Sequence, residues 1–511
     1  MKSCQARVLF AQAGAVLSVS ALLGGCGDNY RPVVTPIGTN GPPAQVGSYA
    51  LVVSSTGSST PGVVTIIDYS GDSILNETPI GPGPKVFTID SSGSTGYTVN
   101  SDGTLSNFSI TASLQAKQIS ESTLPPTAQP VNLLAPSFGL WVTDLNGDLV
   151  DVFSGSPAAF KLAIPVATSA SPATMPAFIA GTATNSGQRE YAVSQNVPDN
   201  TPLACNVSPT TAPTGVATPI ELSSNTTDPS IPVGKCPVFG VQTPDLQRLY
   251  ILNRGDSTLT VINTRNNTPD TCTPFQNQNG NWITCHPTIQ LPAGSGPVTA
   301  EYNAATEQLV VANYDGGTIS VINVPLDEYG NDSNTYTNSN CTTYAACGAV
   351  TGGFGTVTTI KVGNTATPNP ASVTVLADGS KAYSANQNDD SGTGSGTVTV
   401  VNLHTFTVEK TLTVEGHPRT IVNTQNSEFA KVYAASPDSP FITIIESSPT
   451  VTDQIDTTVL LEGTPVDIRT TTQNGLSGNN NYSSRVPGYG QPCNLPGATQ
   501  LTSIAQCQSI P

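Results

Sequence analysis

Apolar and polar positions fall in short alternating runs, and the runs themselves recur. Leu249-Tyr250-Ile251-Leu252-Asn253, Leu309-Val310-Val311-Ala312-Asn313 and Ala382-Tyr383-Ser384-Ala385-Asn386 are one type. Leu259-Thr260-Val261-Ile262-Asn263, Ile319-Ser320-Val321-Ile322-Asn323 and Val398-Thr399-Val400-Val401-Asn402 are a second, which alternates strictly. Val, Ile, Thr and Tyr dominate both, as a pleated surface half-buried on each side requires. No window of about 11 residues keeps a helical period. Between the two run types stand Asn100-Ser101-Asp102-Gly103, Asn146-Gly147-Asp148 and Asp315-Gly316-Gly317. Asn-Gly and Asp-Gly steps supply the positive φ of a tight hairpin. Asp378-Gly379 does the same one strand earlier. The chain is predicted to be all-β.

Eight prolines set the period. Pro84, Pro130, Pro176, Pro237, Pro297, Pro370, Pro418 and Pro465 each precede a short apolar strand, and after all but Pro465 a turn and a run of the first type follow. Their spacings are 46 to 48 residues, except for three of 61, 60 and 73. A period of about 50 residues in a β-rich chain predicts a β-propeller of four-stranded blades. The two ends predict how it closes. Ala50-Leu51-Val52-Val53 has no proline-led strand before it, and Pro465-Val466-Asp467-Ile468-Arg469 has no run after it. Paired, they complete one blade and remove the open edges of an unclosed array. The count is then eight blades. Seven stays open, because the repeat around Tyr191 has weak third and fourth strands between Asn196 and Cys236.

The first residues carry an address. Lys2 and Arg7 precede a mostly apolar run from Val8 to Leu23, about 16 residues and short of the ~20 a membrane span needs. Leu23-Gly24-Gly25-Cys26 resembles the bacterial lipobox, in which Cys26 receives lipid and becomes the mature N-terminus. Gly27 comes next and Asp28 one place later, a pattern that resembles sorting to the outer membrane in double-membrane bacteria. The expected organisation is a lipoprotein signal peptide over 1–25, a Pro-rich tether over 26–48, the propeller over 49–475 and a tail over 476–511.

Cysteine usage agrees with export. Beyond Cys4 and Cys26, eight cysteines remain as neighbours: Cys205 and Cys236, Cys272 and Cys285, Cys341 and Cys347, Cys493 and Cys507. The first three pairs lie in the three long repeats and the last in the tail, so local disulfides stapling insertions are expected. Sequence alone leaves the connectivity open. No C-x-x-C is present, which argues against a metal.

Formal charge is −17, and −19 once Lys2 and Arg7 leave with the leader, while only 10% of residues are charged. A weakly charged acidic surface excludes the basic stripe that nucleic acid needs. It also disfavours anionic headgroups, so membrane contact is expected through the lipid alone.

The strands Tyr97-Thr98-Val99-Asn100 and Tyr250-Ile251-Leu252-Asn253, the Thr-x-Val-Ile-Asn strands after them and the Val-Gly-x-x-Pro endings resemble the YVTN-repeat β-propellers, a group similar to surface-layer and lactonase-like propellers. The resemblance spans about 49–475. It implies the fold and leaves the activity open.

Candidate chemistry is sparse. His286, His404 and His417 are the only histidines, too few for a copper or zinc cluster. Asp144-Leu145-Asn146-Gly147-Asp148 has the oxygen spacing of a calcium loop, but a hairpin turn already explains it, as solvated loop explains Asp389-Asp390. No metal and no cofactor is expected. No G-x-S-x-G, P-loop or H-E-x-x-H occurs. Ligand contact is expected around the marker prolines, where Lys85, Lys235, His417 and Arg419 are the cationic or titratable groups. The expected function is a lipid-anchored cell-envelope module, on the periplasmic or the outer face, that acts as a binding or scaffold unit for a protein or glycan partner; the four groups would take an anionic small molecule or glycan terminus. The alternative is a lactonase-like or quinoprotein-like enzyme, supported by fold analogy alone.

Overall fold

The computed structural model describes residues 49–471 except 91, 111–118, 137–138, 168–172, 182–188, 198–204, 206–208, 244–245, 247, 265, 272–274, 277–281, 284–286, 325–353, 391, 393, 425–429 and 449–450. Strands account for nearly all its regular structure, and no helix is long and apolar enough to cross a membrane.

Eight antiparallel sheets form the blades. Blade 2 runs outward as Pro84–Ile89, Thr95–Asn100, Thr104–Ser109 and Ile119–Thr123. Blade 3 is Pro130–Leu134, Leu140–Asp144, Leu149–Ser154 and Ala159–Pro165. Blade 4 is Pro176–Ala180, Arg189–Ser194 and Thr214–Glu221, with Thr226–Thr227 and Ile231–Lys235 sharing the fourth place. Blade 5 is Pro237–Gln242, Arg248–Asn253 and Thr258–Asn263, its fourth place shared by Thr268–Pro269 and Thr288–Gln290. Blade 6 is Pro297–Asn303, Gln308–Asn313, Thr318–Asn323 and Val357–Lys361. Blade 7 is Pro370–Val375, Lys381–Asn386, Thr397–Asn402 and Thr407–Thr413. Blade 8 is Thr420–Asn423, Lys431–Ala435, Phe441–Ser448 and Val451–Leu460. The repeat around Tyr191 is therefore a full blade, and the count is eight.

Blade 1 takes its three outer strands, Tyr49–Ser55, Pro61–Asp68 and Ile74–Pro82, from the start of the ring. Its axial strand is Thr464–Thr470, which pairs Leu51 with Arg469 and Val53 with Asp467. The ends then lock: Tyr49 N donates to Thr471 Oγ1 at 2.7 Å, and Thr471 N to the Tyr49 carbonyl at 2.9 Å.

The apolar clusters join consecutive blades, and the largest runs from blade 3 to blade 6. One joins Val99 and Leu105 of blade 2 to Leu133 and Val142 of blade 3. Another joins Tyr383 and Val400 of blade 7 to Ile421 and Val432 of blade 8. Both faces of every blade are covered, which is why the second strands read as nearly unbroken apolar runs.

The repeat's marked residues are structural. In five blades the residue before the marker proline has positive φ (Gly83, Met175, Cys236, Gly296 and Asn369), and the ladder shifts register just after the proline. That left-handed step and bulge turn the chain from the rim into the axis. The asparagine ending the second strand is a clasp. Asn313 Nδ2 donates to Thr318 Oγ1 at 3.0 Å and Ser320 Oγ at 2.8 Å in the third strand. Asn100, Asn253 and Asn386 do the same. Each such bond is worth about 0.5–1.5 kcal/mol net. The tyrosine of that strand hooks the next blade. Tyr191 OH donates to Asn267 Oδ1 at 2.9 Å, and Tyr383 OH meets Asp453 and Ser447.

Candidate functional site at the axial mouth

Loops from fourth to first strands and from second to third strands share one face, where the axial strands begin. The residue after each marker proline is aliphatic in six blades: Val131, Ala177, Val238, Val298, Ala371 and Val466. In the other two it is Lys85 and Arg419. Their axial strands flank the closing strand on either side, so both cations lie in one sector of the ring.

Arg419 is half-buried and has no carboxylate within ion-pairing distance among the described residues. Its Nη2 makes one long contact, 3.5 Å, to the Val466 carbonyl, and its Nε has no hydrogen-bond partner. Burial lowers its pKa to about 10, with Asp467 and Asp438 pulling the other way. Beside it, on the closing strand, Asp467 and Arg469 pair at 2.5 Å in full burial.

Lys85 lines a cavity of about 110 Å³ between blades 2 and 3, with Asn100, Ser101, Leu124, Gln129 and Leu145. Burial lowers its pKa, because a half-buried ammonium loses hydration. No carboxylate or imidazole lines this cavity, and the Ser101 hydroxyl is committed to the carbonyls of Ser58 and Pro82.

His417 precedes the axial strand of blade 8 and is 5% exposed. Its backbone amide donates to Asp438 Oδ1 at 2.8 Å, its Nδ1 is bonded to Asp438 Oδ2, and its Nε2 lies 3.8 Å from Asp390. The Asp438 hydrogen bond raises the imidazole pKa against burial. On Asp438, burial pushes the carboxyl up, but the His417 ring and amide outweigh it and hold the carboxyl below its usual range. The histidine is thus held between two aspartates: Asp438, which sequence reasoning passed over, and Asp390, which it read as solvated loop.

Lys235 stands apart. It lies between blades 4 and 5, across the ring from blade 8, and its Nζ reaches only the Thr210 carbonyl at 3.4 Å. Next to it, Cys205 and Cys236 form a disulfide, both buried in the core of blades 4 and 5. That bridge joins an insertion to the start of an axial strand, so one end is core instead of loop. Cys26, Cys272, Cys285, Cys341, Cys347, Cys493, Cys507 and His286 lie outside the described residues. Asp144 Oδ1 accepts the amides of Gln129 at 2.6 Å and Asn146 at 2.9 Å, so the loop that starts there is an Asx turn. Among the described residues no group of three or more His, Cys, Asp or Glu converges as metal ligands.

No family model and no curated protein matches the chain. Solved structures do. The dihydro-heme d1 dehydrogenase NirN is similar at 11% identity and TM-score 0.55, covering 83% of this chain and 75% of that one. AztD from Citrobacter koseri matches at 12% and 0.50, over 83% and 97%. The periplasmic gluconolactonase PpgL of Pseudomonas aeruginosa matches at 14% and 0.46, over 83% and 99%. At such identities the likeness carries shape and no activity. The chain is an eight-bladed β-propeller, closed by strands from both ends of the ring, with two under-partnered cations at its axial mouth.

Proposed function

We propose that the protein is an exported, lipid-anchored binding propeller whose axial mouth takes the anionic group of a glycan or small molecule. The observation that carries this reading is the pair Lys85 and Arg419. Two cations occupy a position that is aliphatic in the six other blades, and neither has a carboxylate partner among the described residues. A half-buried cation with no carboxylate at ion-pairing distance is costly unless a ligand supplies one. The Lys85 cavity favours binding, since its lining offers donors and apolar wall but no carboxylate or imidazole to work beside the lysine.

The test is calorimetric titration of the mature protein with acidic oligosaccharides and small carboxylates. Lys85→Ala and Arg419→Ala should each weaken the best ligand about tenfold or more, the worth of a charge-assisted hydrogen bond. Unchanged affinity in both variants would remove this reading. The anchor is tested separately. Cys26→Ser should lose metabolic palmitate labelling and leave the membrane fraction, whereas a labelled, membrane-bound variant would refute the lipid site.

A further inference from the structure

Blade 3 breaks the clasp that holds its neighbours. In blades 2, 5, 6 and 7 the terminal asparagine of the second strand reaches a hydroxyl in the middle of the third. The Nδ2 to Oγ distances are 2.8 Å to Ser106, 2.9 Å to Thr260, 2.8 Å to Ser320 and 2.8 Å to Thr399. The same register position is Thr65 in blade 1, Thr218 in blade 4 and Thr443 in blade 8. Seven blades therefore place a hydroxyl there. Blade 3 alone places a carboxylate, Asp151, opposite Val142, and it puts Asp144 where the clasp asparagine would be.

Asp151 is 1% exposed and neither of its carboxylate oxygens has a hydrogen-bond partner. Asp144 is 3% exposed, and both amides it accepts fall on Oδ1, which leaves Oδ2 uncommitted. The fourth strand brings no relief, since Asp151 faces Ala163 there. Both acids share the face of Val142, in the apolar core between blades 2 and 3. From blade 2, Ser122 is in register with Leu105 of that core, and its Oγ is also buried without a partner. Two carboxylates sealed on one face, one of them with no hydrogen-bond donor on either oxygen, are costly unless a counter-charge joins them. A proton shared between the two would need them within hydrogen-bonding distance, and no such bond joins them.

What the amide hydrogens do in four blades, something positive must do here. The geometry points to a divalent cation of the calcium class, held between blades 2 and 3 by the carboxylates of Asp144 and Asp151 with Ser122 Oγ as a neutral oxygen. The donor set is all oxygen, which suits a hard cation. Asp144 adjoins the Lys85 cavity through Gln129, whose amide it accepts, and through Leu145, but the two readings have different ligands and separate tests.

The experiment is thermal unfolding of the EDTA-treated mature protein at pH 8, titrated with calcium. Two variants accompany it: Asp151→Ser, and Asp144→Asn with Asp151→Ser, which rebuilds the clasp of blade 2. Wild type should gain at least about 2 °C at saturating calcium. The rebuilt variant should melt no lower than calcium-free wild type and should not respond. Terbium emission excited through tryptophan should appear in wild type, with Trp141 adjacent to Val142, and vanish in the rebuilt variant. Two results would overturn the site: no response of wild type to calcium, magnesium or manganese; or an equal response in the rebuilt variant.

Discussion

A chain ending at Gly463 should lose cooperative unfolding altogether, while one ending at Thr471 should melt as the full ring does. The difference is one strand, and its losses compound. Thr464–Thr470 supplies the whole axial edge of blade 1, pairing from Ala50 with Thr470 to Ser55 with Thr464. Its Ile468 is fully buried between blades 8 and 1. Its neighbours on both sides are axial strands, those of blade 8 and blade 2, so its removal uncovers two interfaces and opens an edge. A domain's net stability is only about 5–15 kcal/mol. Six ladder pairs, a buried isoleucine and the Asp467–Arg469 pair are comparable to that margin. Differential scanning calorimetry decides the matter. A truncated chain with an equally sharp transition and enthalpy would show that blade 1 does not clasp the ring.

The second large effect is expected at Asp270, in blade 5. Asp270→Ala should destabilise the protein by about 3–5 kcal/mol. Its Oδ2 lies 3.7 Å from Arg248 Nε, and both side chains are essentially sealed from solvent, at 1% and 2% exposure. The guanidinium also stacks over Phe354 of the next blade, 4.8 Å from the ring centroid. Removing the carboxylate takes a counter-charge from that cation in a low-dielectric seam. Replacing both partners together, Arg248→Met with Asp270→Leu, should cost far less, because no charge is then buried. Urea denaturation of the three proteins separates the cases. An Asp270→Ala loss under about 1 kcal/mol would mean that solvent reaches the guanidinium.

Much of this was legible before the structure. The marker prolines, the turn glycines and the unmatched strands at either end predicted the blade, the ring and its closure, because each is a local backbone requirement written in residue type. The tyrosine and asparagine of the second strand were visible as recurring letters, but not as devices. Seeing Tyr383 as a hook needs Asp453 of the next blade, and seeing Asn313 as a clasp needs Ser320 across a hairpin. The site was read in part. Lys85 and Arg419 share a register position, and that position could be counted from the proline. Lys235 shared only nearness to a marker proline, and circular closure carries it to the opposite side. Asp438 escaped notice and Asp390 was read as solvated loop, because loop aspartates look solvated when taken singly. Asp151 was hidden for another reason: in a strand that alternates, one acid reads as solvent-facing. Stacking the eight third strands, Thr65, Ser106, Asp151, Thr218, Thr260, Ser320, Thr399 and Thr443, would have exposed it.

The knot between Tyr49 and Thr471 spans 422 positions. Those two residues stand at opposite ends of the ring's sequence, so the first three strands must wait, with one flank bare, until nearly all the rest of the ring has been made. Long-range pairings of this kind are slow to form. Until the last seven residues of the ring arrive, the molecule is a chain of wedges awaiting its final piece, and it becomes a finished object only when its oldest and youngest parts meet.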